Sequence, residues 1–150
     1  MRTPPSKISH VDLVVSSIEV SLSFYVGLLE PLGWVPPDQE IIGEHGQRIH
    51  YIYVPGGGVS AIGLREKLSD DHAVPYERRA VGIEHICIDV PSREVVDERA
   101  AWARSVGAEI ISEPREHDYT PGYYAVFIAD PDGIKLELLH RPTFWEAAGA

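Results

Sequence analysis

His10, His85 and Glu137 are the residues of this chain whose types and placement carry recognisable chemistry. Two imidazoles and one carboxylate make a facial donor set that leaves positions open on a divalent metal, a set typical of Fe2+ and accessible to Mn2+, Zn2+, Ni2+ or Co2+. Such an ion polarises substrate oxygens as a Lewis acid, and a carboxylate in its neighbourhood can also move a proton. Singly, each residue has a plainer reading. A lone strand histidine is most often a buried ring satisfied by hydrogen bonds. Glu137, flanked by leucines, fits a solvated strand face as readily.

What raises the two histidines above the plainer reading is a repeat, and Glu137 gains weight by completing a donor set with them. Sliding the 150-residue sequence by 75 lays Ile8–Val20 over Ile83–Val95, with six of thirteen positions identical, His10/His85 among them. The same shift returns near the end of each half, Gly58 on Gly133, Val59 on Ile134 and Leu64 on Leu139. Packing does not require the same polar residue twice on the same strand face, whereas a shared metal does.

The elements carrying these residues read alike in both halves. Ile8–Val15 is a strand with Ile8, His10, Asp12 and Val14 on one face and Val11, Leu13 and Val15 on the other. Ser16-Ser17-Ile18-Glu19 has the form of a capping box, and Ile18, Leu22, Tyr25, Val26 and Leu29 follow at helical spacing until Pro31 and Gly33. In the second half Pro91-Ser92 opens a helix that runs through Val106, with Gly107 as its C′ residue. Strands are predicted at Trp34–Val35 with its continuation, Arg48–Val54 and Val59–Arg65, then at Ala108–Ser112, Tyr123–Ala129 and Ile134–His140. Each unit is therefore βαβββ. Units spanning 7–68 and 80–142, joined by a linker at 69–79, are each too small for a comfortable core and are expected to pack as one α+β domain over 1–150. Phe144 and Trp145 are expected to tuck against the body.

Composition sets the class of partner. Thirteen Lys and Arg against twenty-three Asp and Glu give a net charge of −10, and neither half is basic. No positive stripe is present for nucleic acid or an anionic membrane surface, and no apolar run approaches the roughly 20 residues of a membrane span. A start without an apolar h-region and a single cysteine, Cys87, point to the cytoplasm. The Gly56-Gly57-Gly58 run reads as a hairpin loop, because no helix follows to receive a phosphate.

The doubled unit, His10 and His85 at its repeated position, and Asp130-Pro131-Asp132-Gly133-Ile134-Lys135-Leu136-Glu137-Leu138 resemble the vicinal oxygen chelate superfamily over essentially Lys7–Pro142. That group includes glyoxalase I, methylmalonyl-CoA epimerases, extradiol dioxygenases, fosfomycin-resistance transferases and bleomycin-binding proteins. The resemblance implies two tandem βαβββ modules in curled mixed sheets, the glyoxalase-like fold. It also implies a divalent metal on His10, His85 and Glu137, chelated by two neighbouring oxygens of a small-molecule substrate, and a homodimer as the expected assembly.

Two departures from the family bear on the reaction. The family's first half usually adds a Glu or Gln ligand at the repeat-mate of Glu137, which the ungapped shift places at Ile62. Glu66 shares its parity but lies four residues on, about 13 Å along the strand, so three protein ligands are expected. Phe127 occupies the place of the tyrosine that dioxygenases of the family carry near the metal. His117, Tyr119, Tyr123 and Tyr124 are near enough in sequence to substitute for it as substrate-binding residues, and His50 is assigned to the cup by parity against Tyr51 and Tyr53. Cys87 is read as a small hydrophobe.

These features lead to a metal-dependent lyase, isomerase or oxygenase with Glu137 in the catalytic role. The alternative is a metal-free sequestration protein of the bleomycin-resistance kind, holding an aromatic or cationic ligand in an acidic cup lined by Trp and Tyr.

Overall fold

The computed structural model of the chain describes residues 6–56, 60–72 and 74–142. The chain divides into two compact units, Met1–Val74 and Pro75–Ala150, and the cut falls inside the stretch read as a linker.

The first unit runs β1 (His10–Val15), α1 (Ile18–Leu29), β2 (Ile41–Ile42), β3 (Arg48–Tyr53) and β4 (Ala61–Glu66), with a 3-10 turn at Glu30–Leu32. The second runs β5 (Ile86–Asp89), α2 (Arg93–Ser105), β6 (Ile110–Glu116), β7 (Tyr124–Ala129) and β8 (Lys135–His140). Each unit forms a four-stranded sheet, β1-β4-β3-β2 and β5-β8-β7-β6, in which the first strand pairs parallel with the last and the other pairs are antiparallel. The sheet order brings the histidine-bearing strand beside the last strand of its unit, some fifty residues away.

Both helices begin where the side-chain chemistry requires. Ser17 and Ser92 are the N-caps and accept from the Val20 and Val95 amides. Glu19 is not the capping-box partner; it sits one position too early and pairs with Arg48 instead. Gly33 and Gly107 follow the helical segments with φ of 86° and 75°, a left-handed backbone that a side chain would strain. One face of each sheet is sealed by its helix. Leu13, Val15, Leu28, Leu29, Ile52, Ile62 and Leu64 are buried in the first unit, and Val90, Val96, Ala100, Val126, Ile128, Leu136 and Leu138 in the second.

Three strand expectations change. Trp34–Val35 contributes only a single bridge, Val35 to Tyr53, because Pro36 and Pro37 follow with no N–H to donate; Ile41–Ile42 forms the edge strand instead. Strand β6 extends beyond Ser112 to Glu116, with register shifts on either side of Ser112 that accommodate Pro114 on this edge strand. The strand expected from Val59 starts at Ala61 among the described residues. Val59, Phe144 and Trp145 lie outside the described residues.

Candidate functional site

The face of the second sheet away from α2 carries His85 and Cys87 on the β5 side, Glu137 on β8, and Phe127 and Tyr123 on the β7 side. The register sets this row: Cys87 is opposite Glu137, and Glu137 is opposite Phe127. Local chemistry places Glu137. At the turn before β8, Asp130 Oδ1 accepts from the amides of Asp132 at 2.9 Å and Ile134 at 2.8 Å, and Gly133 closes the turn with φ 88°. The short hairpin holds β8 in one register against β7, so Glu137 cannot slip to the helix-packed face.

Glu137 is 2% exposed, and both of its oxygens are engaged. The Tyr123 hydroxyl donates to Oε1 at 2.5 Å, and His85 Nε2 lies 2.9 Å from Oε2. On the other side of the ring, Nδ1 of His85 meets Glu84, whose second oxygen receives the Lys135 ammonium at 2.9 Å. Those two partners, Lys135 first, hold the Glu84 carboxyl below the usual range. Burial, with the hydrogen bond to Glu137 next, pushes the Tyr123 phenol up. Cys87 is exposed on this face, which corrects its reading as a small hydrophobe. The surrounding protein, followed by the Glu137 carboxylate, raises its thiol well above the ordinary value.

Above this row stands an aromatic group. His117 is buried at 7% exposure, stacks on Tyr119 at 5.4 Å, and presents its edge to Tyr123 and Phe127. Its Nε2 has no hydrogen-bond partner among the described residues, and burial pushes its pKa down. Tyr124 lies elsewhere. Its hydroxyl donates to Asp97 on α2 at 2.8 Å and Arg93 covers its ring, so it belongs to the helix-packed face.

In the first unit His10 heads β1 with its side chain half exposed and its ring edge-on to Tyr51 at 5.6 Å. The same face holds Asp12, Gly63, Tyr51 and Arg65, since Asp12 is opposite Gly63 and Gly63 is opposite Tyr51. His50 is not among them. It pairs across from Leu64 on the buried, helix-packed face and contacts Glu40 at 3.1 Å, which corrects its assignment to the cup; parity separates it from Tyr51, but Tyr51 is the residue on the His10 face. Glu66 is taken up by three hydrogen bonds from Arg48.

The register also corrects the repeat-mate of Glu137. His10 pairs with Ala61, 51 residues on, whereas Ile86 pairs with Leu136, 50 residues on. One extra residue before β4 shifts the equivalence, so the counterpart of Glu137 is Gly63, while Ile62 is buried on the opposite face. An ungapped comparison cannot register that insertion. Sequence reasoning also misses Asp12 and Glu84 as members of these clusters; strand parity with His10 marks Asp12, whereas nothing in the sequence singles out Glu84.

Among the described residues no three His, Cys, Asp or Glu side chains form a cluster able to hold a metal ion. The His85–Glu137 pair nevertheless has the chemistry of a metal site's half. Two neighbouring ligands of one ion at 2.0–2.2 Å stand about 3.0 Å apart, close to the 2.9 Å between Nε2 and Oε2. A ligating histidine characteristically gives its other nitrogen to a carboxylate, as Nδ1 does to Glu84.

The two four-stranded sheets and this row of residues define a class, and the family model matches it. The chain belongs to the Glyoxalase/Bleomycin resistance protein/Dioxygenase superfamily, whose model covers residues 7–138. The uncharacterized protein YqjT of Bacillus subtilis is 27% identical over 132 residues, 87% of this chain and 95% of that one. Among solved structures, a glyoxylase/bleomycin resistance protein/dioxygenase domain from Frankia sp. superposes with a TM-score of 0.74 at 23% identity, covering 91% of this chain and 98% of that one. The fosfomycin resistance protein FosX of Listeria monocytogenes, a mutant complexed with Mn(II) and dihydroxypropylphosphonic acid, superposes at 0.66 with 18% identity, covering 96% and 99%. Both share the fold: two βαβββ units, each with a four-stranded mixed sheet and one helix. No helix among the described residues is long and apolar enough to cross a membrane.

Proposed function

We propose that the protein is a small divalent-metal enzyme acting on a small molecule that offers two neighbouring oxygens, with His85 and Glu137 as metal ligands in the second unit and His10 as the candidate ligand on the corresponding face of the first. The observation that carries this reading is the buried Glu137 carboxylate, held from one side by Tyr123 and facing the imidazole of His85 at 2.9 Å. A bound divalent ion (Fe2+, Mn2+, Zn2+, Ni2+ or Co2+) supplies Lewis-acid polarisation of the substrate oxygens.

The chain's own residues do the rest. Glu84 orients the His85 ring through Nδ1, Tyr123 steadies Oε1 of Glu137, and Glu137 moves a proton at Oε2. The rings of His117, Tyr123 and Phe127 form an apolar wall that binds the substrate's carbon skeleton, with Tyr119 exposed at its rim. The Mn(II) and vicinal diol carried by the FosX structure are in keeping with a metal and with two adjacent oxygens. In this reading the protein is a cytoplasmic homodimer.

The test is metal content after purification without chelator. Stoichiometric metal lost in His85→Ala and Glu137→Gln is expected; metal retained in both excludes this site. The same aromatic wall favours a second reading, sequestration of an aromatic or cationic ligand without metal. Tight ligand binding that survives His85→Ala in metal-free protein decides for it.

A further inference from the structure

Arg65 stands on the face of the first sheet that carries His10 and Asp12, with its side chain 33% exposed. It meets Asp12 through Nε alone, and Asp12 receives it on Oδ2, the oxygen that also takes the Tyr51 hydroxyl at 3.1 Å. Asp12 Oδ1 has no hydrogen-bond partner among the described residues, so it draws on neither terminal nitrogen of the guanidinium. Arg48 differs: it spends Nε, Nη1 and Nη2 on Glu19 and Glu66. Gly63 makes the seat for the Asp12–Arg65 pair. A Cβ there would run into Asp12 Oδ1 and lie 2.6 Å from Tyr51 Cε1, so the glycine lets the carboxylate lie across β4 and grip the guanidinium by one edge.

A guanidinium held at Nε keeps its planar Nη1/Nη2 fork, the geometry that takes both oxygens of a carboxylate at once. The ion pair behind it fixes the side chain beforehand and so lowers the entropy that binding would cost. Val14 lies directly across from Arg65 on β1 and is 59% exposed, which sets an apolar contact beside the charge. We propose that this face of the first unit binds a small carboxylate with an apolar body, Arg65 taking the two oxygens and Val14 packing on the skeleton. Asp12 and Tyr51 are positioning residues that aim the fork. The protein's net charge of −10 repels anions in general, so a carboxylate is held only where donors are fixed for it. All of these residues belong to the first unit, and the site requires no metal.

The test titrates isotope-labelled, metal-free full-length protein with benzoate, and with benzamide as a neutral probe of the same shape, followed by NMR at the Arg65 Nε–H and the Val14 and Gly63 amides. Saturable shifts at these positions are expected with benzoate, and binding at least about tenfold weaker with benzamide, as the loss of one charge-assisted hydrogen bond implies. Arg65→Gln, checked for folding by circular dichroism, should abolish saturation. Arg65→Lys keeps a cation for Asp12 without the planar fork, should weaken benzoate by a similar factor, and serves if the glutamine variant does not fold. Equal affinity for the two probes, shifts as strong at Arg48 and Lys67 as at Arg65, or benzoate binding untouched by Arg65→Lys overturns the proposal. No metal enters the titration, so its failure leaves the metal reading standing, and metal content in His85→Ala decides that reading separately.

Discussion

The Tyr123 hydroxyl donates to Oε1 of Glu137 at 2.5 Å, across two strands joined by the Asp130–Gly133 turn. Removing this bond leaves the carboxylate in place with one lone pair unanswered. Tyr123→Phe is therefore expected to weaken metal binding by about 10–100-fold without abolishing it, whereas Glu137→Gln abolishes it. Competition titrations with a chelator distinguish the two.

Gly63→Ala introduces a methyl group against Asp12 and Tyr51, whose side chains are tied to each other and to Arg65. A destabilisation of about 1–3 kcal/mol is expected from overpacking. Thermal denaturation should show a drop of several degrees. Gly46→Ala provides a comparison for backbone strain alone, since an added methyl there meets open space while the backbone has a φ of 80°.

Arg48 joins Glu19 and Glu66, and the hydrogen bonds from its guanidinium hold both carboxyls below their ordinary values. Because the folded values are depressed, the stabilisation is complete above the unfolded carboxylate pKa of about 4.3 and is lost as the pH falls through the folded values. Melting temperature should fall over that acid range, and Arg48→Met should flatten the fall. Calorimetry across the acid limb measures it.

Tyr124 ties β7 to α2 through Asp97. Tyr124→Phe is expected to cost about 1 kcal/mol of stability and to leave metal and ligand affinity unchanged, as denaturant titration and binding measurements on the same variant would show.

Cys87 is exposed yet its thiol is held above the ordinary value by its surroundings and by Glu137. Since the thiolate is the nucleophile, alkylation of metal-free protein near neutral pH should run well below the rate of an unperturbed thiol, and Glu137→Gln should speed it. Mass spectrometry of iodoacetamide-treated samples follows both rates.

Features that depend on residues close along the chain are legible in the sequence. Period-two and helical spacing mark the strands and helices, Ser92 one helix start and the Ser16-Ser17 pair the other to within one residue, Gly107 a helix end, and Asp130-Pro131-Asp132-Gly133 the turn that aims Glu137. The 75-residue repeat singles out His85, and Glu137, which completes a donor set with the histidines, is brought by the fold within 2.9 Å of it. Which residues face one another across strands emerges only from the folded chain. Pairing of β1 with β4 closes a loop of some fifty residues, and a single insertion inside it moves the mate of Glu137 from Ile62 to Gly63. Side-chain alternation has a period of two, so that one-residue change exchanges a buried apolar position for one beneath Asp12. The same parity puts His50 and Tyr124 on the helix-packed faces and leaves Asp12 beside His10, because face is set by strand pairing and not by residue type.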